Sequence, residues 1–131
     1  MTYLADHEEQ IYPRLAEMGD KLRHTMKAAF IEEGIYTYCT GHGSDVLPGS
    51  SMSMLHFPYE ADAQPNKPKD LLDPSVCDIT LSHKVLDLAL LLEDVFMLHS
   101  HGAVYAAHTE ADLDLLGQAY RRAVRRIKAY L

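Results

Sequence analysis

Val104-Tyr105-Ala106-Ala107-His108-Thr109-Glu110-Ala111-Asp112-Leu113-Asp114 leads into a periodic pattern that runs to Leu131, and its reading decides the fold. Thr109 and Asp112 have the spacing of a capping box. The hydroxyl can accept from the backbone N–H three residues on, and the acid favours the positive end of a helix. Leu113, Leu116, Tyr120, Val124, Ile127 and Leu131 then recur at three- and four-residue steps and give one apolar face. A short apolar strand therefore runs into a final amphipathic helix.

Working back from that end, Lys84 to Glu93 predicts a helix that is apolar nearly all round, with Leu86, Leu88, Leu90, Leu91 and Leu92. Such a helix should be buried, in part under a partner domain. Val95-Phe96-Met97 and Ala103-Val104-Tyr105-Ala106 predict two short strands around a turn at His99-Ser100-His101-Gly102. Upstream, Ile35 to Thr40 is rich in β-branched and aromatic residues and predicts a strand, and Met52 to Phe57 predicts its partner. Gly41-His42-Gly43-Ser44-Asp45 and Pro48-Gly49-Ser50 are loop signals between them. Residues 58–78 hold Pro58, Pro65, Pro68 and Pro74 and are expected to form a flexible loop.

The first element is a long helix, in which Ile11, Leu15, Met18, Leu22, Met26, Ala29 and Phe30 keep the 3.6 period and Gly34 is the stop. Pro13 predicts either a fresh start near Ile11 or a kink there. Residues 1–10 read as the tail of an upstream helix. The whole, 1–131, reads as a single α+β domain. Its expected order is α-β-β-α-β-β-α, with helices covering a small antiparallel sheet of three to four strands.

Composition narrows the function. A chain of 131 residues with 47% hydrophobic and 24% charged residues suits one globular domain with a modest core. A net charge of −7 argues against a nucleic-acid surface, which needs a basic face. The basic cluster of Arg121, Arg122, Arg125, Arg126 and Lys128 lies in the last turns of the final helix, where the dipole favours cations. No apolar run is long enough for a membrane span, and the first residues do not form a signal peptide. Cys39 and Cys77 lack metal-type spacing, so a reduced, cytoplasmic compartment is the default.

The His-Thr-Glu-Ala-Asp-Leu phrase at 108–113, with the strand before it and the helix after it, resembles the C-terminal end of class-III pyridoxal-phosphate aminotransferases. The glutamate-1-semialdehyde aminomutase branch, whose members are isomerases, is the closest in pattern. The resemblance extends over nearly the whole chain. Ile11-Tyr12-Pro13-Arg14-Leu15, Gly19, Leu22 and Arg23 match the family's long helix. Gly49-Ser50-Ser51 and Met52 to Phe57 match its Gly-Ser loop and following strand. Leu90 to Val95 matches a leucine-rich helix, with Asp94 where the family usually has glycine. His99-Ser100-His101-Gly102 replaces the family's Pro-Ser-x-x-Glu segment, which lies near the active-site mouth.

The resemblance implies the small C-terminal domain of a fold-type-I enzyme. That domain closes on a pyridoxal-phosphate-bearing large domain, or a second subunit, and helps shape a pocket for an amino acid or a keto or semialdehyde substrate. The family's cofactor lysine, pyridinium acid and phosphate donors lie upstream of the first helix, so this chain alone is a fragment expected to be inactive and to bind no cofactor. None of Lys21, Lys27, Lys67, Lys69, Lys84 and Lys128 follows a strand into a glycine-rich turn, and all six read as solvated. No catalytic residue is expected here. His108, Ser50 and His99 are the substrate-pocket candidates, His108 because it ends a strand and precedes a helix.

Other constellations favour plainer readings. His99 and His101, with His56 or His108 as a third ligand, have zinc-like chemistry, but His-x-His alone fits a polar turn and no metal is expected. His42 among glycines suggests a phosphate nest, but no helix pattern follows to supply a dipole. Cysteine–histidine pairs lack a signature, and Asp112 with Asp114 is explained by capping. The exposed leucine-rich helix could drive self-association. The other class of reading is a small independent α+β binding or assembly module without cofactor.

Overall fold

Met18, Leu22, Met26, Ala29 and Phe30 are all buried along one face of a 30-residue helix, α1 (Thr2–Ile31). The computed structural model describes residues 2–61, 63, 67–97 and 101–131. After α1 come β1 (Tyr38–Cys39), β2 (Met52–His56) and the short α2 (Pro68–Leu71). A π-helical turn, Leu81–Val85, runs directly into α3 (Leu86–Leu91), and β3 (His101–Ala103) and α4 (Glu110–Lys128) follow. The fold is mixed α and β, with one three-stranded antiparallel sheet in the order β1-β2-β3. Tyr38 pairs with His56 and Cys39 with Leu55 on one side of β2, and Met52 pairs with Ala103 and Met54 with His101 on the other.

The structure departs from the expected pattern in three places. Of the two expectations at Pro13, the fresh start near Ile11 does not occur. Pro13 lies inside α1, on an exposed stretch where the lost hydrogen bond can be made good by water. Val95–Met97 is not a strand. Val95 and Met97 instead turn their side chains onto the core as the chain leaves α3. The last strand forms at His101–Ala103 rather than at 103–106, because β2 offers β3 only Met52–Met54. One further bond, from Val104 N–H to the Ser51 carbonyl (2.9 Å), ends the ladder, and a turn closes with His108 N–H on the Tyr105 carbonyl (3.0 Å). The two ends of the proline-rich segment meet beside β2. Pro58 bridges Cys77, Tyr59 N–H bonds the Val76 carbonyl (3.0 Å), and Asp78 N–H bonds the Phe57 carbonyl (2.9 Å). The observed order is thus α-β-β-α-α-β-α.

Both α1 and α3 stop by the same device. Gly34 N–H reaches the Ile31 carbonyl (2.9 Å) and Ile35 N–H the Phe30 carbonyl (3.0 Å), with Gly34 at φ +76°. Asp94 N–H reaches Leu91 (3.2 Å) and Val95 N–H reaches Leu90 (3.0 Å), with Asp94 at φ +60°. This paired pattern satisfies the last carbonyls and requires a left-handed residue. Helix α3 is only half covered. Leu86, Ala89 and Leu90 are buried, whereas Leu88, Leu91 and Leu92 are 62%, 55% and 67% exposed.

Helix α4 closes the core. Its capping box is present in full: Thr109 N–H donates to Asp112 Oδ2 (2.7 Å) and Asp112 N–H to Thr109 Oγ1 (3.4 Å). Tyr120 is fully buried, lies edge-on to Phe30 at 6.4 Å, and donates its hydroxyl to Met97 Sδ at 2.8 Å. The basic cluster is more than a dipole complement, since each of its five cations is ion-paired. Arg121 holds Glu32 (2.9 Å), Arg125 and Lys128 share Glu33 (3.2 and 3.1 Å), and Arg122 and Arg126 share Glu93 (2.6 and 2.7 Å). No described helix is long and apolar enough to cross a membrane.

The cap sets one expectation. Thr109→Ala should destabilise the fold by about 1 kcal/mol in denaturant titrations, through loss of the N-cap acceptor. An unchanged midpoint would contradict the role of the cap.

The ion pairs set a second expectation. Hydrogen bonds from the paired cations hold the Glu33 and Glu93 carboxyls below the ordinary glutamate value of 4.5. A carboxyl lowered on folding contributes stability above its unfolded value, and loses it as pH falls through the folded value. Glu33→Gln/Glu93→Gln should therefore flatten the fall of stability below pH 4.5. Superimposable acid profiles of variant and parent would show that the pairs do not act through charge.

Candidate functional site

The Gly-Ser loop before β2 is held from below by α1. Arg23 is only 1% exposed, and its Nη1 donates to the Ser50 carbonyl at 2.7 Å. Its Nη2 pairs with the carboxylate of Asp20, one turn earlier on the helix and largely in solvent. The loop lies so close to the helix that a Cβ on Gly19 would come within 2.1 Å of the Ser50 oxygen. Gly41 faces the loop from its other end at φ +90°, where a Cβ would meet the Met52 oxygen at 2.3 Å. Its carbonyl accepts from Ser50 N–H at 2.9 Å.

Ser50, a pocket candidate from the sequence, is thus engaged at three atoms. Its N–H and carbonyl bind Gly41 and Arg23, and its Oγ accepts from Met52 N–H (3.0 Å). It acts as a fastening of the loop, and it does not line the cleft that contains His108.

His108 does face a cleft. This hollow of about 230 Å³ lies between β3 and the start of α4 and is walled by Leu22, Phe96, Met97, His101 and Leu116. The imidazole also has structural work. Nδ1 accepts from Tyr105 N–H at 2.9 Å, so the neutral ring carries its proton on Nε2, and the His108 carbonyl accepts from Arg14 Nη2 at 3.2 Å. Nearby Asp112 is held below the ordinary carboxylate range by its bonds from Thr109. An imidazole whose Nε2 carries the proton, lining a mostly apolar cleft, can orient a ligand by a hydrogen bond. His99 lies outside the described residues.

Arg23 was not singled out as a site residue by the sequence, because an arginine on a helix normally reads as solvated. The usable signal was Gly19 four residues before it, on the same helix face as a glycine-rich loop partner.

Nucleophilic readings fail on environment. Burial pushes the Cys39 thiol up to about 11, and Cys77 is raised as well, by burial and then by Asp70 and Asp73. No group of three or more His, Cys, Asp or Glu side chains among the described residues is arranged to hold a metal ion.

The six lysines differ in setting. An imine-forming lysine needs an apolar setting that lowers its proton affinity. Lys21 is raised instead, by hydrogen bonds to Glu110 and Glu17, and Lys128 is tied to Glu33. Lys67, Lys69 and Lys84 are exposed, and Lys27 is half-buried in a groove beside the cationic Arg23 and next to Asp20 and Glu32. Family models return no match to this chain, and curated proteins return none.

The close loop contact makes Gly19→Ala strongly disruptive. With a backbone carbonyl at 2.1 Å, helix and loop must part. The Ser50 oxygen then loses its guanidinium donor, and the expected cost is about 2 kcal/mol or more. Asp94→Gly should act in the opposite sense, stabilising by about 1 kcal/mol because the left-handed conformation no longer strains a Cβ. A neutral Gly19→Ala or a destabilising Asp94→Gly in chemical denaturation would overturn this account.

Proposed function

We propose that this chain is the small C-terminal domain of a class-III pyridoxal-phosphate aminotransferase, nearest to the glutamate-1-semialdehyde aminomutase branch, working in the cytoplasm. In this reading the domain packs on a cofactor-bearing large domain, or a second subunit. It helps shape a pocket for an amino acid or a keto or semialdehyde substrate. The cofactor and the catalytic lysine belong to that other domain.

The observation that carries the reading is the contact between α1 and the Gly-Ser loop. Two of the segments in which the sequence resembles the family are the two sides of one junction, with Gly19 against the Ser50 oxygen and Arg23 bonded to it. Asp94 adds support. It takes a left-handed φ of +60° at the position where the family usually carries glycine. Leu88, Leu91 and Leu92 lie exposed on α3, which suits a face that a larger domain covers.

The test is the reading frame that runs into the Met1 codon. Protein made from that extended frame should bind pyridoxal phosphate as a borohydride-reducible lysine adduct, with the lysine outside this chain, and should transfer or relocate an amino group. This chain alone should form no such adduct. An extended protein that binds no cofactor, or a stop codon directly upstream together with a cofactor-free function for this chain, would favour the independent binding module instead. In the active extended protein, His108→Ala should lower kcat/KM if the ring orients substrate. Unchanged kcat/KM with lowered stability would leave the ring a purely structural role.

A further inference from the structure

His24, Lys27, Ala28 and Ile31 stand at three- and four-residue steps and form one stripe along α1. With Arg23 of the same helix and His42 of the loop after β1, they wall a groove of about 420 Å³, separate from the cleft at His108. The loop is brought onto the Arg23 guanidinium by glycine. A Cβ on Gly41 would stand 3.0 Å from Nη1, and one on Gly49 would stand 2.6 Å from Nη2. Gly41-His42-Gly43 has the residue pattern of a phosphate nest but no helix following it to supply positive charge. In the folded chain α1 supplies that charge, as Arg23 and Lys27.

Two acids, Asp20 and Glu32, also line the groove, and both are engaged by arginine. Asp20 Oδ1 accepts from Arg23 Nη2, and Glu32 accepts from Arg121 Nε and Nη2 at 2.9 and 3.1 Å. Lys27 is half-buried and pairs with no carboxylate among the described residues. Its charge falls instead on His42 and on the Cys39 thiol. Arg23 Nε has no hydrogen bond either. Positive charge therefore prevails where His42 stands. Burial first, and then Arg23 and Lys27, hold its imidazole below the ordinary value, and Asp20 opposes them by less.

We propose that this groove binds a phosphate group, held by Lys27 Nζ and by ring N–H groups of His24 and His42. An ammonium suits phosphate as a point charge, and a hydrogen bond between the two is charge-assisted. Phosphate offers an oxygen to each of the three donors, whereas a carboxylate has only two. Arg23 is committed to Ser50 and Asp20, so it adds charge without a direct bond. Ala28 and Ile31, the latter 60% exposed, leave the other end of the groove apolar and open to the body of a phosphate ester. The inference concerns residues of this chain only and does not depend on the aminotransferase reading.

Inorganic phosphate is the probe, titrated into the whole chain at constant ionic strength and followed by the His42 and Gly43 amide resonances. Saturable shifts are expected there, with sulfate competing and acetate binding more weakly. Lys27→Met, which keeps the apolar stem, should weaken binding about tenfold, as the loss of one charge-assisted hydrogen bond requires. His42→Leu, a second and independent variant, should weaken it as well. Lys69→Met, exposed on α2 and outside the groove, should leave it unchanged. Phenyl phosphate distinguishes the sources: tighter binding than inorganic phosphate marks a phosphate ester, and equal binding marks the free anion. No saturable shift, acetate binding as tightly as phosphate, or equal losses in Lys27→Met and Lys69→Met would overturn the proposal. None of these outcomes bears on whether a pyridoxal domain lies upstream.

Discussion

The guanidinium of Arg23 is the hinge on which the arrangement depends. It is carried into the interior by α1 and bonded to the backbone of the Gly49–Ser50 loop, at 2.7 Å to the Ser50 carbonyl. An arginine so deeply buried needs partners, and here a carbonyl and the Asp20 carboxylate serve its two terminal nitrogens while its Nε is left without a hydrogen bond. The consequence is geometric. The loop is pinned to the helix at Gly19, so β2, which starts two residues after Ser50, has a fixed position over α1. Because β2 is the central strand, β1 and β3 take their places from it. Gly102 on β3 then stands over Leu22, where a Cβ would already be at 3.1 Å.

A second constraint closes the structure from the other side. The helices α1 and α3 both end in a left-handed residue, and both carry acids immediately before it: Glu32 and Glu33 before Gly34, and Glu93 before Asp94. Acids at helix C-termini are disfavoured by the helix dipole. Here the five cations of α4 neutralise them, so one helix clamps the ends of two others. The pairs are exposed and individually weak. Their effect is to fix the direction of α4, while Tyr120, Val124 and Ile127 supply the burial.

What could be read from the sequence was whatever is encoded locally. The capping box needs only Thr109 and Asp112, three apart, and the stop of α1 needs only Gly34. The apolar period of α1 and the start of α4 are of the same kind. The strands were placed less well, because a strand is defined by its partner. Ala103–Ala106 has the composition of a strand, yet β2 has room to pair only with His101–Ala103. The bridge between Pro58 and Cys77 joins residues 19 apart and has no local signal. The pairing of Arg121 with Glu32 spans 89 residues and leaves no local trace. Of the site candidates, His108 lines a small hollow, while Ser50 fastens the loop.

Hydrogen exchange of the backbone amides in Arg23→Met, whose side chain matches the apolar stem but not the guanidinium, tests the central role of Arg23 most directly. If the arginine fixes the loop, the Ser50 and Met52 amides, bonded to Gly41 and to Ser50 Oγ, should lose protection first. Those at Thr40 and Met54 should follow, while the α4 amides keep theirs. Unchanged protection of the loop and β2 amides in that variant would contradict the account.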